Sequence, residues 1–162
     1  MGRVVLNAPL RFRPVEPPLP QRKRLPHTPP SWVKPGSVFF ITICCAARGA
    51  NSLALPSVFP ILELSVEHYV ASEKWWCHIA LAMPDHFHAL LSFPGTVRMD
   101  KLIRDWKRFI ARSAPVVWQN GFFDHRLRST ESFDEKAHYI RMNPVRAGLS
   151  ATPADWPYVW PR

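Results

Sequence analysis

The chain has 162 residues, 47% of them hydrophobic and 20% charged, which is the composition of a globular protein rather than a disordered one. Its formal net charge of +9 indicates a polyanionic partner, nucleic acid before an anionic membrane. No stretch approaches the about 20 apolar residues that a membrane-spanning helix needs, and the first residues lack the apolar segment of a secretory signal.

Residues 1–36 differ in composition from the rest of the chain. They hold half of the 18 prolines and many Lys and Arg, against the single acid Glu16. Such a segment buries too little apolar surface to offset its ordering entropy, so we expect a basic, Pro-rich arm that is extended or partly disordered. Either the arm only solubilises the protein, or it lies along DNA phosphates. We favour DNA contact for Arg22, Lys23 and Arg24.

A folded domain is predicted over residues 37–149, from runs of apolar residues at strand spacing or at helix spacing. In chain order we expect a strand over 38–45, a helix over 57–75, strands over 76–83 and 86–93, a helix over 98–113, a strand over 122–128, and a last helix from 132 to about 143. This order predicts an α+β fold of the ferredoxin-like (split βαβ) type. Its antiparallel sheet would carry helices on one face, plus a C-terminal helix that bears Tyr139.

Two local features predict how elements are buried and where they end. The first strand is rich in β-branched and aromatic residues, so we expect it to be buried on both faces. Ser132 and Glu135 have the spacing of a capping box at the start of the last helix. Pro144 disfavours continuation of that helix, so we expect it to end near Asn143.

His86-Phe87-His88 is the most informative tripeptide of the chain. Alternate side chains of a strand point to the same face, so both imidazoles would project together and could chelate a divalent cation. Two histidines on a half-exposed strand face are the structural alternative. A metal site would need at least one more protein ligand, and spacing alone does not choose among Asp85, His78, His125 and a side chain of the last helix.

Basic residues follow one side of the helix over 98–113, opposite its apolar stripe. They are either a track for a nucleic-acid backbone or a solvated outer face. The candidates for DNA contact in this helix are Lys101, Arg104, Lys107, Arg108 and Arg112.

Tyr139 is the strongest candidate nucleophile among the three tyrosines. Tyr69 falls on the apolar stripe of the first helix, and Tyr158 lies in a tail without regular pattern. Glu135, Tyr139 and Asn143 are spaced four residues apart and would share one helix face. A phenol of pKa about 10 is a weak nucleophile at neutral pH, so it would need a nearby cation or base.

The Pro- and Trp-rich segment over residues 150–162 forms a C-terminal tail. Its Trp156, Tyr158 and Trp160 could stack on nucleic-acid bases. We favour the alternative that they pack back over an apolar edge of the domain.

Two segments resemble motifs of REP-associated tyrosine transposases, which are single-tyrosine enzymes of the HUH class. Residues 83–91, Met-Pro-Asp-His-Phe-His-Ala-Leu-Leu, resemble the family's HUH segment of histidine, bulky hydrophobe and histidine. Residues 139–149, with the run Asn-Pro-Val-Arg-Ala-Gly, resemble its tyrosine-helix motif. Weaker likenesses lie at 24–27, 106–107 and 123–128, and the resemblance covers roughly residues 22–160.

The resemblance implies an HUH-type catalytic domain that cleaves and rejoins single-stranded DNA at palindromic repeat hairpins through a 5′-phosphotyrosine. It implies Tyr139 as the nucleophile. Metal ligation would come from His86, His88 and Asn143, with Mg²⁺ or Mn²⁺ as the cation. Glu135 and His125 are candidates to assist proton transfer or phosphate binding.

The expected partner is single-stranded DNA with hairpin repeats, and no membrane partner is expected. The three cysteines have no zinc-site spacing and suit reduced core residues, so we expect a cytoplasmic, nucleoid-associated protein. Monomer and homodimer both stay open. One rival is a non-catalytic, basic nucleic-acid-binding module on the same fold. Another is a metal-dependent phosphodiesterase that uses water instead of Tyr139, and an inactive relative is a third.

Overall fold

The computed structural model describes Lys34 and residues 36–95, 97–128 and 131–161. The arm predicted over residues 1–36 therefore lies almost wholly outside the described residues, and with it the proposed DNA contacts Arg22, Lys23 and Arg24. Across the described ranges, every helix is too short or too polar to span a bilayer.

Five antiparallel strands form a single sheet in the described part of the chain, in the order β4-β1-β3-β2-β5. The predicted α+β fold with an antiparallel sheet and helices is confirmed, whereas its ferredoxin-like classification stays a prediction. A strand near the C-terminus was not predicted, because two residues are too few to show a period-two pattern. The strands are β1 (Val38–Cys44), β2 (Trp76–Ala82), β3 (His86–Ser92), β4 (Phe123–Arg126) and β5 (Val159–Trp160).

The helices divide between the two faces of the sheet. One core lies on the face of the sheet that carries the side chain of Ala89 of β3. Two helices pack on this face, one contributing Leu62 to the core and the other Ile103. A second core lies on the other face, where Leu90 of β3 meets Ile140. The helices of the first face are α1 (Phe59–Ala71) and α2 (Met99–Ser113), and the second face carries α3 (Phe133–Arg141), which leads into the short α4 (Asn143–Arg146).

One expectation about local structure was wrong, and the expected end of the last helix is confirmed. The strand β1 is not buried on both faces, because its side chains alternate between buried and half-buried, and α3 covers the second face only in part. The last helix ends at Arg141, near Asn143 as expected, and a short helix that was not predicted begins at Asn143. Pro144 lies in the first turn of that new helix, where its missing N–H leaves no hydrogen bond unmade. At the start of α3, Ser132 Oγ accepts from the Glu135 amide at 3.2 Å.

The first helix is shorter than the predicted 57–75. It begins at Phe59, with Pro60 in its first turn, a position that proline favours. It ends at Ala71, because the chain reverses at Glu73, whose φ of 52° is incompatible with a right-handed helix.

The C-terminal tail packs against the domain. The strand β5 extends the sheet beside β2, and the buried Trp156 donates its indole N–H to the Ala82 carbonyl at 3.0 Å. Of the two alternatives for Trp156, packing on the sheet is therefore the observed one.

A buried hydrogen bond between α1 and α2 gives a test of the fold. The indole N–H of Trp106 donates to Ser65 Oγ at 2.9 Å, and both side chains are buried. Ser65→Ala would leave this donor unpaired, so it should lower the free energy of unfolding by about 1–3 kcal/mol in urea denaturation. The control is Ser113→Ala at the exposed end of α2. It should change the free energy of unfolding by less than about 0.5 kcal/mol. Equal effects in the two variants would contradict the role of this bond.

Candidate active site

His86 and His88 lie side by side on the face of β3 that α3 covers. Both share the face of Leu90, whereas Phe87 packs into the opposite core. The centroids of the two imidazoles are 4.7 Å apart and their planes are nearly perpendicular, at 82°. The alternation expected from the sequence thus places both rings where a single ligand can reach them.

Each imidazole is held through its Nδ1 atom. The His86 Nδ1–H donates to Asp85 Oδ1 at 2.6 Å, and His88 Nδ1 lies 2.9 Å from Thr42 Oγ1. Thr42 stands directly opposite His88 in the register of β1 and β3. With Nδ1 engaged in both rings, Nε2 is the atom left to bind a ligand. Proteins orient metal-binding imidazoles in this way, through a second hydrogen bond on the far nitrogen.

Asp85 positions His86 and is itself held firmly. Its Oδ2 accepts from the Gly49 amide at 2.7 Å and lies 3.3 Å from Arg48 Nε. Partial burial acts to raise the pKa of Asp85, but the hydrogen bonds from Gly49 and His86 and the charge of Arg48 outweigh it and hold that pKa below its usual range. Asp85 is therefore an ionised partner of His86, with both carboxylate oxygens already engaged.

His88 is neutral at physiological pH. It is 6% exposed, and burial, with a smaller contribution from the neighbouring His86 and Arg48, lowers the pKa of His88 to about 3. A neutral imidazole is the form that binds metal ions.

Two of the alternatives left open for a third ligand lie elsewhere. His78 Nε2 bonds Ser92 Oγ at 2.9 Å, and Ser92 is at the far end of β3, about 20 Å from His86. His125 lies on the edge strand β4, beyond β1, with Nε2 3.0 Å from both carboxylate oxygens of Glu131. In the residues that the structure describes, no cluster of three or more His, Cys, Asp or Glu could hold a metal.

One aromatic ring, that of Phe40, contacts both Tyr139 and the histidine pair. Phe40 of β1 stacks on His88, with centroids 5.3 Å apart and planes at 24°. The same ring meets Tyr139 in a T-shaped contact at 6.1 Å. Tyr139 is 43% exposed, so a large substrate can approach it. The candidate nucleophile and the histidine pair therefore share one face of the sheet.

The junction of α3 and α4 places two more polar groups at Tyr139. The Arg146 guanidinium lies 4.7 Å from the centroid of the Tyr139 ring. Asn143 Nδ2 donates to the carbonyl oxygens of Tyr139, at 3.0 Å, and Ile140, at 3.2 Å. This orientation caps the end of α3 and leaves Oδ1 as the amide atom that could bind a cation. Glu135, one turn before Tyr139, is exposed.

The basic residues of α2 lie on the opposite face of the sheet from the histidine pair, because α2 packs into the other core. Lys101, Arg104, Arg108 and Arg112 are exposed. Lys107 differs from them, since its ammonium group donates to the carbonyl oxygens of Gln119, at 2.6 Å, and Gly121, at 2.7 Å.

Three residues of this site were not predicted from the sequence: Thr42, Phe40 and Arg146. The first two are brought to His88 by the pairing of β1 with β3, which no local pattern encodes. Arg146 had a usable signal, because it follows Tyr139 by seven residues, or about two helical turns.

Comparison with known proteins gives relatives of one kind, although no family model matches the chain. The REP-associated tyrosine transposase of Escherichia coli K12 is 23% identical over 126 residues, which are 76% of this chain and 75% of that protein. A Haemophilus influenzae protein that carries the same name provisionally is 24% identical over 142 residues, covering 76% of this chain and 78% of its own.

A solved structure shares the fold. It is described as a REP-associated tyrosine transposase bound to a REP hairpin, and it superposes with a TM-score of 0.65 at 21% identity, covering 86% of this chain and 81% of that one. The resemblance found in the two sequence motifs is thereby confirmed.

Proposed function

We propose that the chain is a metal-dependent transposase-like enzyme that cleaves and rejoins single-stranded DNA at palindromic hairpins through Tyr139. The observation that carries the proposal is the joint placement of Tyr139 and of two imidazoles held through Nδ1 on one sheet face. The names of the relatives, and the REP hairpin bound in the related structure, support a DNA substrate of this kind.

The donor set fits a divalent cation such as Mg²⁺ or Mn²⁺. We assign Nε2 of His86, Nε2 of His88 and Oδ1 of Asn143 as the atoms that would hold it. When bound, the cation would polarise a non-bridging phosphate oxygen and offset the charge that develops on the phosphoryl group.

Tyr139 would supply the nucleophile of a transesterification. Its Oη forms a bond to phosphorus while the bond from phosphorus to the 3′ oxygen of the preceding nucleotide breaks. The phenol loses its proton to water or to the Glu135 carboxylate, and the departing 3′ oxygen gains one. The Arg146 guanidinium lies against the ring, 4.7 Å from its centroid. Because one phosphodiester replaces another, the 3′-hydroxyl can reverse the reaction without ATP.

An end-labelled oligonucleotide distinguishes this reaction from simple binding and from hydrolysis. The protein is incubated with hairpin-bearing single-stranded DNA and Mn²⁺, and the products are separated on a denaturing gel. The account expects the 3′-labelled fragment to migrate with the protein, the 5′-labelled fragment to be released, and EDTA to abolish both products. Release of both fragments free of protein, or no cleavage with Mn²⁺ or Mg²⁺ on the repeats of the source genome, would contradict it.

A further inference from the structure

A groove of about 600 Å³ lies between α2 and the segment over residues 116–122. It is on the sheet face opposite the histidine pair, because α2 packs on that face. Its volume is in the range of sites that bind ligands of nucleotide size. Its walls include Arg104, Lys107 and Arg108 of α2 and Trp118 and Phe122 of the segment.

The charge of the groove favours an anion. Its one carboxylate, Asp100, already pairs with Arg98 at 2.8 Å. Lys107 is engaged with backbone carbonyls, as described above, so it fixes the wall of the groove. Arg104 and Arg108 are exposed, and Arg108 Nη1 lies at a long 3.4 Å from Asp105 Oδ1. These two guanidinium groups are therefore the ones that can reach a bound phosphate.

The groove lies at the same end of the sheet as the histidine pair. The segment over 117–119 runs alongside the end of β1, where the Gln119 amide donates to the Cys44 carbonyl at 2.9 Å. Cys44 is the register partner of His86 on the next strand. The segment leads into β4, which is the edge strand of the sheet on this side.

Two consecutive aromatic residues mark that edge, one on each face. Phe122 lines the groove and is half-buried, packed against the first core. Phe123, the next residue, packs against Phe40 on the face of Tyr139, with ring centroids 6.3 Å apart, and is 53% exposed. Exposed aromatic rings such as that of Phe123 bind unpaired bases by stacking. A nucleic-acid strand that crosses the edge would meet an aromatic ring on both sides.

We propose that the groove is a second DNA site, filled by the single strand that continues from the Tyr139 site over the β4 edge. Arg104 and Arg108 would bind its phosphates, and the rings of Phe122 and Phe123 would contact its bases. This inference rests on the proposed function. Of the two alternatives left open for the basic residues of α2, it assigns DNA contact to Arg104 and Arg108 and a solvated position to Lys101 and Arg112, which are absent from the groove lining.

The test compares two double variants of equal charge change on the same helix. Both are made in a Tyr139→Phe background without metal, so that binding is measured apart from cleavage. Fluorescence anisotropy follows binding of single-stranded hairpin DNA at several salt concentrations. Arg104→Glu/Arg108→Glu should weaken binding at least tenfold and reduce the slope of log K against log salt by about 1.4, since each phosphate contact on a single strand contributes about 0.7. Lys101→Glu/Arg112→Glu should weaken binding less than threefold.

Equal losses in the two double variants would overturn the inference, because they would show a diffuse electrostatic effect. No loss in the groove variant would also overturn it. Trimming the DNA on either side of the hairpin gives a second readout. The single strand should extend into the groove from one side of the hairpin. When the DNA on that side is trimmed until it is too short to reach the groove, the Arg104→Glu/Arg108→Glu variant and the Tyr139→Phe protein without these changes should bind the DNA with equal affinity. If wild-type protein forms the covalent adduct but Arg104→Glu/Arg108→Glu does not change the affinity for DNA, this inference is wrong and the proposed function stands. If the groove variant loses affinity for DNA but wild-type protein forms no covalent adduct, the proposed strand transfer is wrong and the groove still binds DNA.

Discussion

Tyr139→Phe is expected to abolish the covalent protein–DNA adduct and to reduce strand cleavage by more than about 10³-fold, because it removes the attacking oxygen. The phenylalanine ring can keep the contacts with Phe40 and Arg146, so affinity for hairpin DNA should stay within about threefold of wild type, below 1 kcal/mol. The measurements are the end-label gel assay for cleavage and fluorescence anisotropy for binding.

Tyr158→Phe is the matched control for this variant. Tyr158 lies in the tail, packed against Phe59 and Trp156 and away from Phe40, and its loss of a hydroxyl should leave the adduct intact. If Tyr139→Phe still cleaves the DNA at an undiminished rate, water is the nucleophile and the chain is a metal-dependent phosphodiesterase. If wild type and variant bind equally and neither cleaves, the rival of a non-catalytic binding module is correct.

Replacement of His88 is expected to have a second large effect, on Mn²⁺ binding and on DNA cleavage. His88→Ala should weaken Mn²⁺ binding by at least about 100-fold and abolish cleavage, because it removes one of the two strand-borne ligands that we propose. Binding is measured by titration calorimetry or by the electron paramagnetic resonance of free Mn²⁺, on protein without DNA. Circular dichroism checks that the variant is folded, since His88 is largely buried.

A milder variant keeps this prediction testable even if His88→Ala does not fold. Thr42→Val preserves the shape of the side chain and removes the hydroxyl beside His88 Nδ1, so it should weaken Mn²⁺ binding by about tenfold. Ser92→Ala removes the equivalent hydrogen bond of His78 at the other end of the sheet and should change Mn²⁺ affinity by less than twofold. Equal effects of Thr42→Val and Ser92→Ala, or Mn²⁺ binding that survives the loss of His88, would contradict the assignment of the site.

The parts of the site that could be predicted from sequence depend on local periodicity. The period of two in a strand places His86 and His88 on one side and Phe87 on the other, and the structure has them so. The helical period of 3.6 separates Tyr139 from Ile140, which packs into the second core. Both inferences need only neighbouring residues along the chain, so they do not depend on how the elements pack.

The parts that could not be predicted depend on long-range pairing. Thr42 comes to His88 only through the register of β1 with β3, and the position of α3 decides that Phe40 lies between His88 and Tyr139. The basic residues of α2 form one stripe in sequence. The groove that Arg104 and Arg108 line arises only because the segment over 116–122 packs beside α2. Pro144 indicated the end of the last helix but not the short α4 after it, because proline both ends a helix and suits the first turn of the next one.

Mass spectrometry of the trapped adduct identifies the residue that is joined to the DNA. Wild-type protein is reacted with hairpin-bearing single-stranded DNA and Mn²⁺, digested with nuclease and protease, and its peptides are searched for a tyrosine that carries a 5′-linked nucleotide. The account predicts the modification on the peptide that contains Tyr139, and its absence when EDTA is present. A nucleotide attached to Tyr69 or Tyr158, or cleaved DNA without any modified tyrosine, would contradict it.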